Sequence, residues 1–219
     1  MRSLLLLSAV TMGALSTLSA QEEEEMCKHF ISPKFFYRIH DEPGYDYKMT
    51  GLGFEYRYVQ PKGVNLTASL ITNISNKTPL IEDEINMSYH FPVDKSFVLY
   101  PLLAYRFGSH RTDKRNSIEY FISKGITYAG LGAKAEVAPG LELFMEFMGF
   151  KDVCNLAMAK LDNHIYGQHY SNPHGLRGKL GIQYIIFPNA MVSLEGNYAK
   201  TFPKAYWEAG AQLAANVGF

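Results

Sequence analysis

The chain has 219 residues, with 21 Lys and Arg against 21 Asp and Glu, so its formal net charge is zero. That balance gives no pull toward a polyanion and sets nucleic-acid binding aside. Apolar residues make up 47% and aromatics 14%, too much for a disordered chain, and two cysteines exclude a disulfide-rich scaffold or a four-thiolate zinc site.

Arg2 is followed by Leu4–Leu7 and then by small residues up to Leu18-Ser19-Ala20. A short basic start, an apolar core and a small-x-small end read as a secretory signal over residues 1–20, cleaved after Ala20. Small and hydroxylated residues dilute its second half, and the run is too short for a membrane anchor, which needs ~20 apolar residues. Residues 21–33, opening on Glu22–Glu25, read as a solvated leader. Residues 34–219 read as one domain.

Within that domain the chain alternates with period two, the signature of strands with one apolar and one polar face. In chain order, Phe35, Tyr37 and Ile39 oppose Arg38 and His40. Leu52, Phe54, Tyr56 and Tyr58 oppose Glu55 and Arg57. Leu66, Ala68 and Leu70 alternate with Asn65, Thr67 and Ser69, and Ile85, Met87, Tyr89 and Phe91 with Glu84, Asn86, Ser88 and His90. The stretch from Phe97 to Phe107 is apolar at odd positions, with Pro101 predicting a bulge or break because proline lacks a ladder donor. Thr127–Val137, Leu141–Phe147, Leu176–Ile186, Val192–Tyr198 and Trp207–Phe219 continue the pattern. Helical spacing is conceivable only around Val153–Leu161. The total is ten strands, with eight as the alternative, of the length a tilted bilayer crossing needs.

Connections alternate in kind. Gln60–Gly63, Phe91–Asp94, Ala138–Gly140 and Phe187–Asn189 are short and carry proline. Asp41–Tyr47, Asn76–Asp83, Gly108–Lys124, Lys151–Gly175 and Thr201–Tyr206 are on average longer and more polar. Tight turns at one end and loops at the other describe an up-and-down antiparallel barrel with both termini on the tight-turn side.

Alternation alone does not say which face is wet; a soluble lipocalin-like barrel also alternates, apolar side inward. Aromatics at the proline turns (Tyr56, Tyr58, Tyr89, Phe91, Phe97, Tyr184 and Phe187) favour a membrane girdle. The polar face carries both signs: Arg38, Glu55, Arg57, Glu84, Arg106, Lys134, Glu136, Glu142, Glu146, Arg177, Lys179, Glu195 and Glu208. In a lipid-facing barrel these point inward and pair, leaving a narrow, plugged lumen. The export signal, the amphipathic strands, the proline turns and the last strand up to Phe219 resemble the bacterial outer-membrane β-barrel families, of the OmpA-like or small-porin type. That resemblance implies residence in a Gram-negative outer membrane, contact with its lipid and lipopolysaccharide, and a barrel-assembly signal at Leu213, Ala215, Val217 and Phe219.

The expected role is structural, or surface interaction with a host or other ligand through external loops, with a small pore as a rival. His110, Arg111, Lys114 and Arg115 surround Asp113 in a basic third loop suited to lipopolysaccharide phosphates or a host polyanion. His169-Tyr170-Ser171-Asn172 resembles the active-site signature of PagL-type lipid A deacylases, which implies His169 as base and Ser171 as nucleophile. Pro173 and Gln183 depart from that pattern, Gln183 standing where an orienting carboxylate is expected. His164, His169 and His174 are spaced for neither a helix face nor a strand face, so no metal or cofactor is expected. Cys27 and Cys154 fall at opposite ends of the barrel, too far apart for a bridge.

Overall fold

The computed structural model describes residues 28–42, 45–74, 80–111, 118–161, 164–169, 173–187, 189–202 and 207–219. The signal and leader up to Cys27 lie outside them. The strands are β1 (Lys28–Glu42), β2 (Tyr45–Val59), β3 (Gly63–Asn73), β4 (Leu80–Pro92), β5 (Phe97–Arg111), β6 (Ile118–Ala138), β7 (Leu141–Leu161), β8 (His164–His169), β9 (His174–Phe187), β10 (Ala190–Phe202) and β11 (Trp207–Gly218). Each pairs antiparallel with its neighbour, β1 with β11, and β7 passes over β8 to pair with β9. The result is a closed barrel of ten strands, with β8 hydrogen-bonded only to the outer end of β7. Closure removes both sheet edges, which is what a sheet in hydrocarbon requires.

The pleat then sorts side chains into two faces. Leu52, Phe54, Leu70, Ile85, Leu131, Phe147, Leu180, Leu194 and Leu213 are exposed on the outside. Their neighbours Lys34, Arg38, Glu55, Arg106, Arg177, Glu195 and Glu208 are buried inside. Leu180 keeps 66% of its surface free while Glu195 keeps 2%, the reverse of a soluble barrel. The apolar exterior is therefore the surface that meets lipid.

Short turns join the strands at the end where β1 begins and β11 ends. Gly63 and Gly140 have φ of 115° and 74°, a region that costs other residues strain, and each closes a tight turn. Asn65 bonds the first of these turns, accepting from the Gln60 amide at 2.8 Å and donating to the Gln60 carbonyl at 3.0 Å. Asp94 accepts from the Ser96 amide at 2.7 Å in the β4–β5 turn, and the Ser96 bonds hold its carboxyl below the usual carboxylate range.

Several expectations are corrected. β1 begins at Lys28, not at residue 34, and it runs through Pro33. Pro33 and Pro101 both face outward, and each sits where pairing to one neighbour lapses without a change of register, β1–β11 at Ser32–Pro33 and β4–β5 at Tyr100–Pro101. A proline lacks one donor, so a ladder can skip it when the other flank stays paired, as Pro33↔Phe54 and Pro101↔Leu131 are. Bulges instead fall where register shifts, between Gly125 and Ile126, between Glu136 and Ala138, and between Ala190 and Met191. The span Val153–Leu161 is strand, not helix, and most of the expected loops Gly108–Lys124 and Lys151–Gly175 are hairpin extensions of β5–β6 and β7–β8.

Candidate functional site

The lumen is the chemically distinctive part of the molecule. Towards the loop end, Arg38 of β1 donates to both oxygens of Glu82 of β4, at 2.7 and 2.9 Å. Arg106 of β5 donates to Glu208 of β11 at 2.9 Å and lies 3.8 Å from Glu82. Arg38 Nε stands 3.6 Å from Glu208, as does His40 Nδ1. Arg177 of β9 reaches Glu84 of β4 at 3.1 Å. Arg38–Glu82, Arg106–Glu208 and Arg177–Glu84 join strands that are not adjacent in the sheet, so these bonds cross the barrel, whereas the 3.6 and 3.8 Å contacts link neighbours, β1 to β11 and β5 to β4. Three guanidinium groups and three carboxylates thus form an internally neutral tier. A buried charge is tolerated only when so paired and hydrogen-bonded.

A second tier lies nearer the turns. Lys34 and Arg57 both bond Glu55, and Arg57 reaches Glu195 of β10 at 3.3 Å. Lys179 bonds Glu195 at 2.7 Å and approaches Glu146 at 3.9 Å. Tyr100 donates to Glu146 at 3.2 Å, Gln183 donates to Glu142 at 3.0 Å, and Lys134 pairs with Glu142 at 3.0 Å. Four cations again meet four carboxylates. A cavity of about 180 Å³ lies around this tier and reaches Arg38, Glu82, Glu84 and Arg177 of the first, with room for several ordered waters.

The wall made by β5, β6 and β7 differs. Tyr100, Leu102, Ala104, Ile126, Tyr128, Met148 and Phe150 point inward and form one buried cluster with Ala199. Several inward aromatics face a glycine directly across the ladder: Phe30↔Gly218, Phe36↔Gly51, Tyr100↔Gly132, Phe144↔Gly181 and Phe150↔Gly175. A Cβ added at Gly132 would stand 2.1 Å from the Tyr100 ring, so the ring lies flat where a side chain is missing. The bare glycine lets a large ring occupy the wall of a narrow lumen. Arg177 and Arg106 extend over the Tyr128 ring at 5.0 and 5.7 Å, joining this wall to the charged tier.

Of the thirteen charges expected inside, Arg38, Glu55, Arg57, Glu84, Arg106, Lys134, Glu142, Glu146, Arg177, Lys179, Glu195 and Glu208 stand in these two tiers. Glu136 does not: it is exposed and accepts from the Gly140 amide at 3.1 Å in the β6–β7 turn. Lys34, Glu82 and the buried Lys124–Asp152 pair, 3.3 Å apart, escaped the sequence reading. Lys34 adjoins the supposed leader, while Glu82, Lys124 and Asp152 lie in stretches read as loops; only their alternation with outward residues marks them.

His169 ends β8, opposite Leu156, and Ser171 lies outside the described residues. Gln183, the position weighed against a catalytic carboxylate, lies nine residues down β9 from His174, ~30 Å along the strand, inside the lower tier. Cys154 is a free thiol, and Cys27 lies outside the described residues. Of the basic third loop, residues 112–117 lie outside them as well.

No family model and no curated protein matches the chain. Solved structures do. The outer-membrane protease OmpT of Escherichia coli is 11% identical with a TM-score of 0.61, over 92% of this chain and 99% of that one. The fold of this chain is that of the outer-membrane β-barrels. The translocator domain of the autotransporter NalP from Neisseria meningitidis is 12% identical with a TM-score of 0.52, over 97% of this chain and 95% of that one. Ail of Yersinia pestis, solved with the heparin analogue sucrose octasulfate, is 14% identical with a TM-score of 0.44, over 88% of this chain and 99% of that one. At such identities the likeness is one of fold, and the barrel's own interior must carry any functional argument.

Proposed function

We propose that this chain is a non-conducting barrel of the Gram-negative outer membrane that acts structurally and through its external surface. The observation that carries this reading is the tier of Arg38, Glu82, Arg106 and Glu208, whose bonds join β1 to β4 and β5 to β11 across the lumen. The apolar wall of β5–β7 stands beside it, and the cavity that reaches Arg38 and Glu82 from the turn side is not lined by Arg106 or Glu208. An ion crossing the barrel would have to part charge pairs that are largely shielded from water, which is costly. The external surface is supplied by β6, β7 and β8. β7 outruns the start of β9 at Lys151↔His174 by ten residues, ~33 Å of strand, and pairs there with β6 and β8. Such an extension presents backbone and side chains beyond the wall of the barrel to a host or other surface ligand.

Export is assigned to residues 1–20 with cleavage after Ala20, and residues 21–27 to the leader. Leu213, Val217 and Phe219 are exposed on the outside of β11 and its end, alternating with buried Ala214 and Asn216. With Ala215 they form the outward stripe that the barrel-assembly machinery would read. Reconstitution in planar bilayers tests the main reading. Protein whose gel mobility changes on boiling, and is therefore a folded barrel, is expected to give no large, steady single-channel steps. Steps of that kind would establish a pore instead.

A further inference from the structure

Two lysines and a histidine face outward, not inward, near the loop end of adjacent strands. Lys151 of β7 lies directly opposite His174 of β9, and Lys200 of β10 lies one strand further, opposite Leu176. All three are exposed, and among the described residues none has a carboxylate within 4.0 Å. The nearest outward carboxylate on this ladder is Asp41, separated from Lys200 by Trp207. Aromatics frame the group: His174 lies 6.4 Å from the Phe202 ring, and Tyr198 stacks with Trp207 at 6.4 Å. On an apolar wall, lysines beside the rim extend their heads toward the headgroup layer.

Below this group the outer wall is grooved. Gly149 of β7, Gly178 of β9 and Gly196 of β10 lie on one diagonal, each two residues further from the rim than the last. A Cβ at Gly149 or Gly178 would meet nothing within 4 Å, and one at Gly196 would meet only backbone oxygens at 3.9 and 4.0 Å. Phe147 and Leu180 stand on one side of this floor, Leu176 and Tyr198 on the other, all exposed. Two diagonal steps span about 15 Å. The groove starts directly below Lys151.

We propose that this face binds one phosphorylated, acylated glycolipid of the outer leaflet, its phosphate held by Lys151, His174 and Lys200 and one acyl chain laid in the Gly149–Gly178–Gly196 groove. The inference rests on the outer-membrane reading given above and sharpens its lipid partner to a place on the barrel. Lysines with no carboxylate within 4.0 Å among the described residues, beside an imidazole that can donate, select an anionic headgroup, and a side-chain-free trough between apolar walls selects hydrocarbon. Only a molecule carrying both satisfies both.

The test is native mass spectrometry of the refolded chain in detergent, with phosphorylated lipid A as probe, lipid A stripped of its phosphates as the first comparison, and inorganic phosphate as competitor. Phosphorylated lipid A is expected to be retained at least tenfold better than the stripped form, and inorganic phosphate at the same concentration to leave it bound. Lys151→Gln with Lys200→Gln, and separately Gly178→Leu, are each expected to reduce retention tenfold. Gly178 has open space, so its variant keeps the fold, and boiling-dependent gel mobility verifies this for every protein measured. Unchanged retention in either variant, or displacement by inorganic phosphate, overturns the site. A chain that dissolves without detergent would overturn the membrane reading instead, so the two failures are distinguishable.

Discussion

The inside of this barrel is built in two ways. On the walls of β1, β4, β9 and β11, joined by Arg106 from β5, arginines and glutamates reach across the lumen to strands that are not neighbours in the sheet. On the wall of β5, β6 and β7, apolar and aromatic groups settle on their immediate neighbours, as Tyr100 does over Gly132. The first arrangement ties opposite walls together and needs every partner present. The second thickens one wall and depends on fit alone. The same narrow cylinder uses charge where it must span and hydrocarbon where it can fill.

The sharpest way to break this comparison is Glu208→Ala. Glu208 faces Arg38, Arg106 and His40, so its removal takes from buried Arg106 its only hydrogen-bonded carboxylate among the described residues, leaving Glu82 at 3.8 Å, while Arg38 keeps its two bonds to Glu82. Loss of one partner from a buried pair is expected to cost about 3–5 kcal/mol, read from urea unfolding in lipid vesicles. On the packed wall, Leu102→Ala should cost about 2–3 kcal/mol in the same assay, because it empties a site with 2% exposure without leaving a charge behind. If the two losses are equal, the distinction between the walls fails. Gly132→Ala should cost about 1–2 kcal/mol, since the added methyl meets the Tyr100 ring, and Gly132→Ala combined with Tyr100→Leu should recover part of it.

The smallest effect is expected outside the membrane, at Asp94. Hydrogen bonds from Ser96 lower its pKa on folding. A lowered carboxylate contributes stability above its unfolded pKa and loses it as pH falls through the folded value. Asp94→Asn should therefore weaken the barrel slightly at neutral pH and not at all in strong acid. A loss that persists unchanged into acid would assign the effect to the amide's geometry, not to charge.

Much of this was legible in the sequence, for a physical reason. Burial in lipid imposes a two-residue period on each strand, so the outward set Leu52, Phe54, Leu180 and Leu213 is visible without coordinates. The proline and glycine turns are visible too, because Gly63 and Gly140 hold backbone that other residues avoid. Partner choice inside the lumen was not legible. Ladder register relates neighbouring strands, whereas Arg38–Glu82 and Arg106–Glu208 span the tube, and nothing local in the chain encodes that distance. At Pro101 the expected bulge or break is only a lapse on one flank, because the ladder to β6 continues through Pro101↔Leu131. The hairpin extension at Val153–Leu161 was obscured by its small and polar residues, which outside the bilayer have no need to alternate.

Which face of the barrel meets hydrocarbon is tested most directly at adjacent positions on β10. In a background with Cys27 and Cys154 replaced by Ser, a spin label is placed at Leu194 in one protein and at Ser193 in another, and each is reconstituted in vesicles. The label at 194 should collide readily with oxygen dissolved in the bilayer, and the label at 193, on the buried side of the strand, should not. The opposite ranking would put the lipid on the charged face and contradict the architecture described.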